Sequence, residues 1–140
     1  AAAERLGAQA VANPADALEL IRDLTDGLGV DTAIEAVGVP EAFELCTDLV
    51  RPGGRVANVG VHGVPATLHL ERLWIRDVTI TTGLVDTFST PTLLRLLADG
   101  RLDTGELITH RFGLDEIQDA YDVFARPQDS GALKVALFNE

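Results

Sequence analysis

The sequence predicts an α/β fold on a mostly parallel sheet, and three observations carry that expectation. Apolar, β-branched runs of strand length alternate with amphipathic stretches of helical period along the 140 residues. The links between them are short, which favours β–α units whose strands run parallel. Aromatic residues make up only 5% of a chain that is 46% hydrophobic, so Val, Leu, Ile and Ala must build the core. Such side chains suit parallel strands buried beneath helices.

The elements follow in order. Ala1 to Leu6 reads as the end of a helix stopped by Gly7, and Ala8 to Ala12 as a short strand. Asn13-Pro14 opens a helix over about Ala15 to Thr25, with Leu18, Ile21, Leu24 and Leu28 at near-helical spacing. Val30 to Val37 is a buried strand running into Gly38, and Pro40 starts a helix that turns Ala42, Phe43, Leu45, Cys46 and Leu49 toward the core. Arg51-Pro52-Gly53-Gly54 is a turn before a strand over Arg55 to Val61. Thr67 to Trp74 fits either a strand or a short helical turn, and the β-branched Val78 to Leu84 reads as a strand. A helix over Pro91 to Asp99, capped by Ser89 or Thr90, ends at Gly100. A strand over Leu107 to Phe112, a helix from Asp115 to about Ala125, and a closing strand over Ala132 to Phe138 complete the chain.

Composition narrows the partners. The length is one domain's worth of chain, and the mean hydropathy of +0.16 fits a folded protein. A formal net charge of -11 repels phosphate backbones and anionic lipid, which argues against nucleic-acid and membrane-surface roles. No apolar run approaches the roughly 18 residues of a membrane span, and the N-terminus lacks the pattern of a signal peptide. The single cysteine, Cys46, fits a reducing cytoplasm. The sequence contains no methionine; initiator processing would account for this, and a missing N-terminal portion is the reading favoured by the resemblance described below.

Ligands of open α/β sheets bind beyond the C-terminal ends of the strands. Two strand ends carry glycines that let a ligand approach the backbone: Glu35-Ala36-Val37-Gly38 and Val59-Gly60-Val61-His62-Gly63. Any one of these glycines can equally be a plain strand-to-helix turn. The G-x-G-x-x-G fingerprint is absent, since Gly27-Leu28-Gly29 lacks the third glycine and precedes a strand. His62, His69, His110 and Cys46 include no pair at zinc-site spacing; Cys46 reads as core and His69 as surface. His62 alone stands at a candidate ligand edge, where a loop hydrogen bond is the plainer role. Ser89 and Ser130 lie in turns without a local base, and the carboxylates read as solvated helix surface. Lys134, the only lysine, is either an outward strand residue or a cation aimed at a phosphate.

Together, Gly29-Val30-Asp31, Ile34 to Gly38, Arg51 to Val56, Asn58 to Gly63, Ile80 to Val85, Leu107 to Phe112 and Gly131 to Val135 resemble the zinc-type medium-chain alcohol dehydrogenases, in the right order over essentially the whole chain. The likeness is strongest to the secondary-alcohol branch. It implies a partial Rossmann-type doubly wound sheet, the side of strands 3 to 6, with residues 1–100 the C-terminal part of the nucleotide-binding domain. Residues 101–140 would return toward a catalytic domain that this chain lacks.

The resemblance further implies NAD or NADP as cofactor. The segment Glu35 to Gly38, with Val37 and Gly38 as its contact residues, would line its adenosine side, and Gly60 and Val61 its nicotinamide. Leu84 and Val85 would lie by the nicotinamide and a small alcohol or carbonyl substrate, and Lys134 by the pyrophosphate. The catalytic zinc would be held only in the intact protein, so the chain alone is expected to be inactive and no catalytic residue is assigned to it. The strand Val78 to Leu84 would pair with another subunit. In the six-stranded order 3-2-1-4-5-6 the two absent strands are central, which leaves Ala8 to Ala12 without its usual neighbour. A zinc-free quinone-reductase-like oxidoreductase and a non-catalytic dimerisation module are the alternatives.

Overall fold

The computed structural model describes residues 2–139, which fall into two compact units that divide between Val85 and Asp86. The sequence reading instead divides the chain at residue 100.

The first unit opens with helices α1 (Ala2–Arg5) and α2 (Pro14–Leu24), followed by strand β1 (Val30–Glu35) and helix α3 (Pro40–Leu49). Strand β2 (Val50–Asn58), the short helix α4 (Leu70–Leu73) and strand β3 (Thr79–Thr82) complete it. The strands form one parallel sheet in the order β1-β2-β3, the α/β arrangement that the sequence predicts. Pro14 and Pro40 stand in the first turns of α2 and α3, where the missing N–H is no loss.

Helix α3 packs on β1 and β2, with α2 against α3. The core beneath it comprises Ala33, Cys46, Val50 and Val56, with Val30, Phe43, Val78 and Ile80 around them. Complete burial of a valine such as Val56 stabilises the fold by about 1.5–3 kcal/mol. Strand alternation turns Ala33 and Glu35 to this covered face. Ile34 points the other way and is 66% exposed.

Several boundaries shift from the sequence reading. Residues 8–12 enter no sheet. The expected strand there fails because an extended segment is stabilised only by a neighbour to pair with, and none pairs with it among the described residues. The turn at residues 51–54 loops out within β2: Val50 pairs with Val30, and pairing resumes at Arg55 with Thr32. β2 then ends at Asn58 rather than Val61, because the Val59 and Gly60 amides turn to donate to the Glu35 carbonyl at 2.8 and 3.2 Å. The ambiguous stretch before Trp74 contains α4, with His69 at its N-terminal cap position.

The second unit carries helix α5 (Thr90–Ala98), strand β4 (Ile108–Gly113), helix α6 (Ile117–Ala125), the short helix α7 (Pro127–Ser130) and strand β5 (Lys134–Phe138). β4 and β5 pair in parallel as a separate two-stranded sheet, and α6 packs on both. The α6 helix begins after a 3-10 turn over Leu114–Glu116, so Asp115 lies inside that turn rather than at the cap. Glu116 accepts the Gly113 amide at 2.8 Å instead.

Candidate functional site

The C-terminal ends of β1 and β2 meet in an interlocked pair of turns, and Glu35 is their hinge-point. Its Oε1 accepts the Val37 and Gly38 amides, each at 2.7 Å. Gly38 takes φ +86°, and a Cβ there would overlap the Val61 carbonyl. At Gly60 a Cβ would overlap both Glu35 Oε2 and the Gly38 backbone. Only glycine fits either place, so the two turns touch backbone to backbone.

Glu35 is 1% exposed, and a buried carboxylate is tolerated only when its oxygens are engaged. The Gly38 amide is the strongest influence on it; burial opposes, while the Val37 amide and His62 add. The net effect holds the carboxyl below its ordinary 4.5. Oε2 lies 3.3 Å from His62 Nε2, in a contact without hydrogen-bond alignment. Nε2 stands 2.9 Å from Asn58 Oδ1, while the Asn58 amide group donates to the Gly60 carbonyl at 3.3 Å. Two acceptors facing Nε2 assign the ring proton to that atom.

The surface above this seam is apolar and open. Val37, Val61, Leu84 and Val85 are all more than two-thirds exposed. A cavity of about 370 Å³ is lined by Asn58, Gly60, Val61, His62, Thr82 and Leu84, among others. Of the seven candidate site residues, Gly38, Gly60 and Val61 are thus in direct contact, with Val37 tied in through Glu35. Leu84 shares the cavity, and Val85 follows it in the chain. Lys134 belongs to the second unit, where it is exposed at the start of β5 and pairs with Ile108.

Sequence reasoning placed Glu35 in the candidate segment Glu35 to Gly38 but missed the role of its carboxylate, having read the carboxylates as mostly solvated helix surface. The signal was available: Glu35 sits at the inward alternation step after Ala33 and just ahead of Val37-Gly38. Cys46 is buried as expected, and burial, with the Glu35 charge adding, pushes its thiol up. His69 bonds Glu71 at 2.8 Å and His110 bonds Thr109 at 3.0 Å. No group of three or more His, Cys, Asp or Glu among the described residues can hold a metal ion. No helix among them is long and apolar enough to cross a membrane.

The surface is open and apolar, with Gly60 half-buried within it. Several known proteins resemble this chain. Residues 1–99 match the family model described as zinc-binding dehydrogenase. An alcohol dehydrogenase of Cupriavidus necator is 36% identical over 141 residues, covering 96% of this chain and 38% of that protein. The apo structure of zinc-dependent alcohol dehydrogenase 2 from Streptococcus pneumonia is 45% identical with a TM-score of 0.93, covering 99% of this chain and 41% of that one. A zinc-binding dehydrogenase of Sinorhizobium meliloti, solved with NADP bound, is 29% identical with a TM-score of 0.79, covering 97% and 41% respectively. The chain thus spans about two-fifths of the length of these relatives, at their C-terminal part.

Proposed function

The chain belongs to the zinc-binding dehydrogenase family, and from that premise we propose that it forms one wall of the dinucleotide crevice of an alcohol dehydrogenase. The observation that carries this reading is the seam at the ends of β1 and β2, where Gly38 and Gly60 interlock beneath exposed Val37 and Val61. Parallel α/β sheets bind ligands at this end, and apolar side chains over a close-set backbone suit a nicotinamide ring and its ribose.

In this reading Val37 and Gly38 line the adenosine side, Gly60 and Val61 support the nicotinamide, and Leu84 and Val85 bound the nicotinamide and a small alcohol or carbonyl substrate. Lys134 contributes a cation to the pyrophosphate. When bound, NAD or NADP accepts hydride from the alcohol carbon. The chain's own part is to orient the ring and to keep water from the reacting face. No cluster among the described residues offers donors for zinc, which in this reading is held by another part of the protein.

Residues 1–100 then belong to the nucleotide-binding domain, and residues 101–140 return to the catalytic domain. The bare face at Ile34 supports a larger assembly, since parallel sheets are normally covered on both sides. The outer strand β3, within the expected edge Val78 to Leu84, pairs with a second subunit in the cytoplasm. The net charge of -11 supports the absence of nucleic-acid and membrane partners.

A hybrid tests the reading. The chain replaces the corresponding C-terminal part of the Streptococcus dehydrogenase, and short alcohols are assayed with NAD+ and NADP+. Alcohol-dependent reduction of one dinucleotide by the hybrid, and none by the chain alone, is expected. A folded, zinc-loaded hybrid that binds neither dinucleotide contradicts the reading.

A further inference from the structure

One feature of the seam does more than fill space. Glu35 gathers four backbone N–H groups, two from each turn. Its Oε1 holds the amides of Val37 and Gly38, and its main-chain carbonyl holds those of Val59 and Gly60. The second carboxylate oxygen fills the space that the missing Cβ of Gly60 leaves open, and it faces His62 Nε2, the same atom that bonds Asn58 Oδ1. The titratable groups facing this carboxylate among the described residues are His62, from the turn after β2, and Cys46, from α3.

We propose that Glu35 is a positioning residue for the dinucleotide: without touching the ligand, its ionised carboxylate sets the spacing of the two turns that receive it. The proposal rests on the cofactor reading above and adds to it the residue on which the shape of the wall depends. Charge matters as well as volume. A carboxylate only accepts, so one oxygen serves the paired amides while the other faces His62 Nε2 at 3.3 Å without a hydrogen bond. Glutamine has the same size but offers one acceptor and one donor. If its oxygen serves the amides, its NH2 meets the Nε2–H of His62. If it is flipped, the NH2 meets the amides of Val37 and Gly38. The negative charge that strengthens both amide bonds to Oε1 and also faces His62 is what glutamine cannot reproduce.

The experiment uses the chain itself, labelled with 15N. In the wild type, the amide shifts of Val37, Gly38, Val59 and Gly60 are expected to move with one shared midpoint, below 4.5, as Glu35 protonates. Affinity for NAD+ (and, in parallel, NADP+), measured by calorimetry, is expected to fall with that same midpoint. This pH profile needs no variant and stands even where one fails to fold. In Glu35→Gln the shared titration is lost, and the dissociation constant rises by about tenfold, the factor that one such hydrogen bond carries. Separate midpoints at the four amides overturn the proposal, as does a folded Glu35→Gln chain that binds with wild-type affinity. A wild type that binds neither dinucleotide overturns it through the cofactor reading, and that failure is distinguishable because it precedes any change at Glu35.

Discussion

At the scale of single residues, the two seam glycines and Glu35 make the sharpest demands. Gly38→Ala must both hold a left-handed backbone, which costs about 1–2 kcal/mol, and push a methyl into the Val61 carbonyl. Gly60→Ala has no strain in φ, but its methyl overlaps a carboxylate and a backbone that cannot swing away, an overpacking that costs about 1–3 kcal/mol. Urea denaturation of both variants is expected to show lower midpoints, with Gly38→Ala the more severe. Gly63→Ala, where nothing stands within 4 Å, is expected to stay close to the wild type. Glu35 adds a pH dependence. Its folded-state pKa lies below the ordinary 4.5, so its contribution to stability is complete above that value and is lost as the pH falls through the folded pKa. The urea midpoint of the wild type is therefore expected to decline below pH 4.5 more steeply than that of Glu35→Gln. Parallel acid limbs in the two proteins contradict this.

At the scale of elements, the C-terminal end of α3 depends on Arg76. Its guanidinium donates to the carbonyl of Thr47 at 3.0 Å and to that of Val50, and its own carbonyl accepts the Gly53 amide at 2.8 Å. The side chain thus satisfies acceptors that a helix end leaves open, while the main-chain carbonyl pins the looped-out residues of β2. Arg76→Ala is expected to destabilise the chain by about 1.5–3 kcal/mol in chemical denaturation, the range for hydrogen bonds to charged groups. Arg76→Lys is expected to recover only part of this, since an ammonium lacks the planar fork.

The elements also show how far the sequence could be read. β1, α3, β3 and α6 follow from apolar period and from Pro40, because those signals are local. The end of β2 does not, since Val59 and Val61 look like strand residues and leave the ladder only because the Glu35 carbonyl captures Val59 and Gly60. Residues 8–12 fail for the opposite reason: their apolar run has strand character but depends on a partner strand. Glu35 was legible by alternation alone. Its four amide bonds were not, because they arise only when two turns from different parts of the chain come together.

At the scale of the molecule, the boundary between the two compact units falls among exposed residues, with Leu84, Val85 and Phe88 each at least 85% exposed. Limited proteolysis followed by mass spectrometry is expected to cut first within residues 83–89, leaving the three-stranded sheet of the first unit whole. First cuts within β1 or β2 contradict the division. The chain matches about two-fifths of the length of its dehydrogenase relatives, and the wall proposed for the dinucleotide, Lys134 apart, lies within the first unit. Mapping amide shifts of the labelled chain during titration with NADH and NADPH tests that claim most directly. The expected result is a set of changes confined to Val37, Gly38, Gly60, Val61, Leu84 and Val85, together with the amides bound to Glu35. Changes gathered at the N-terminal ends of the strands, or none at saturating dinucleotide, would contradict it.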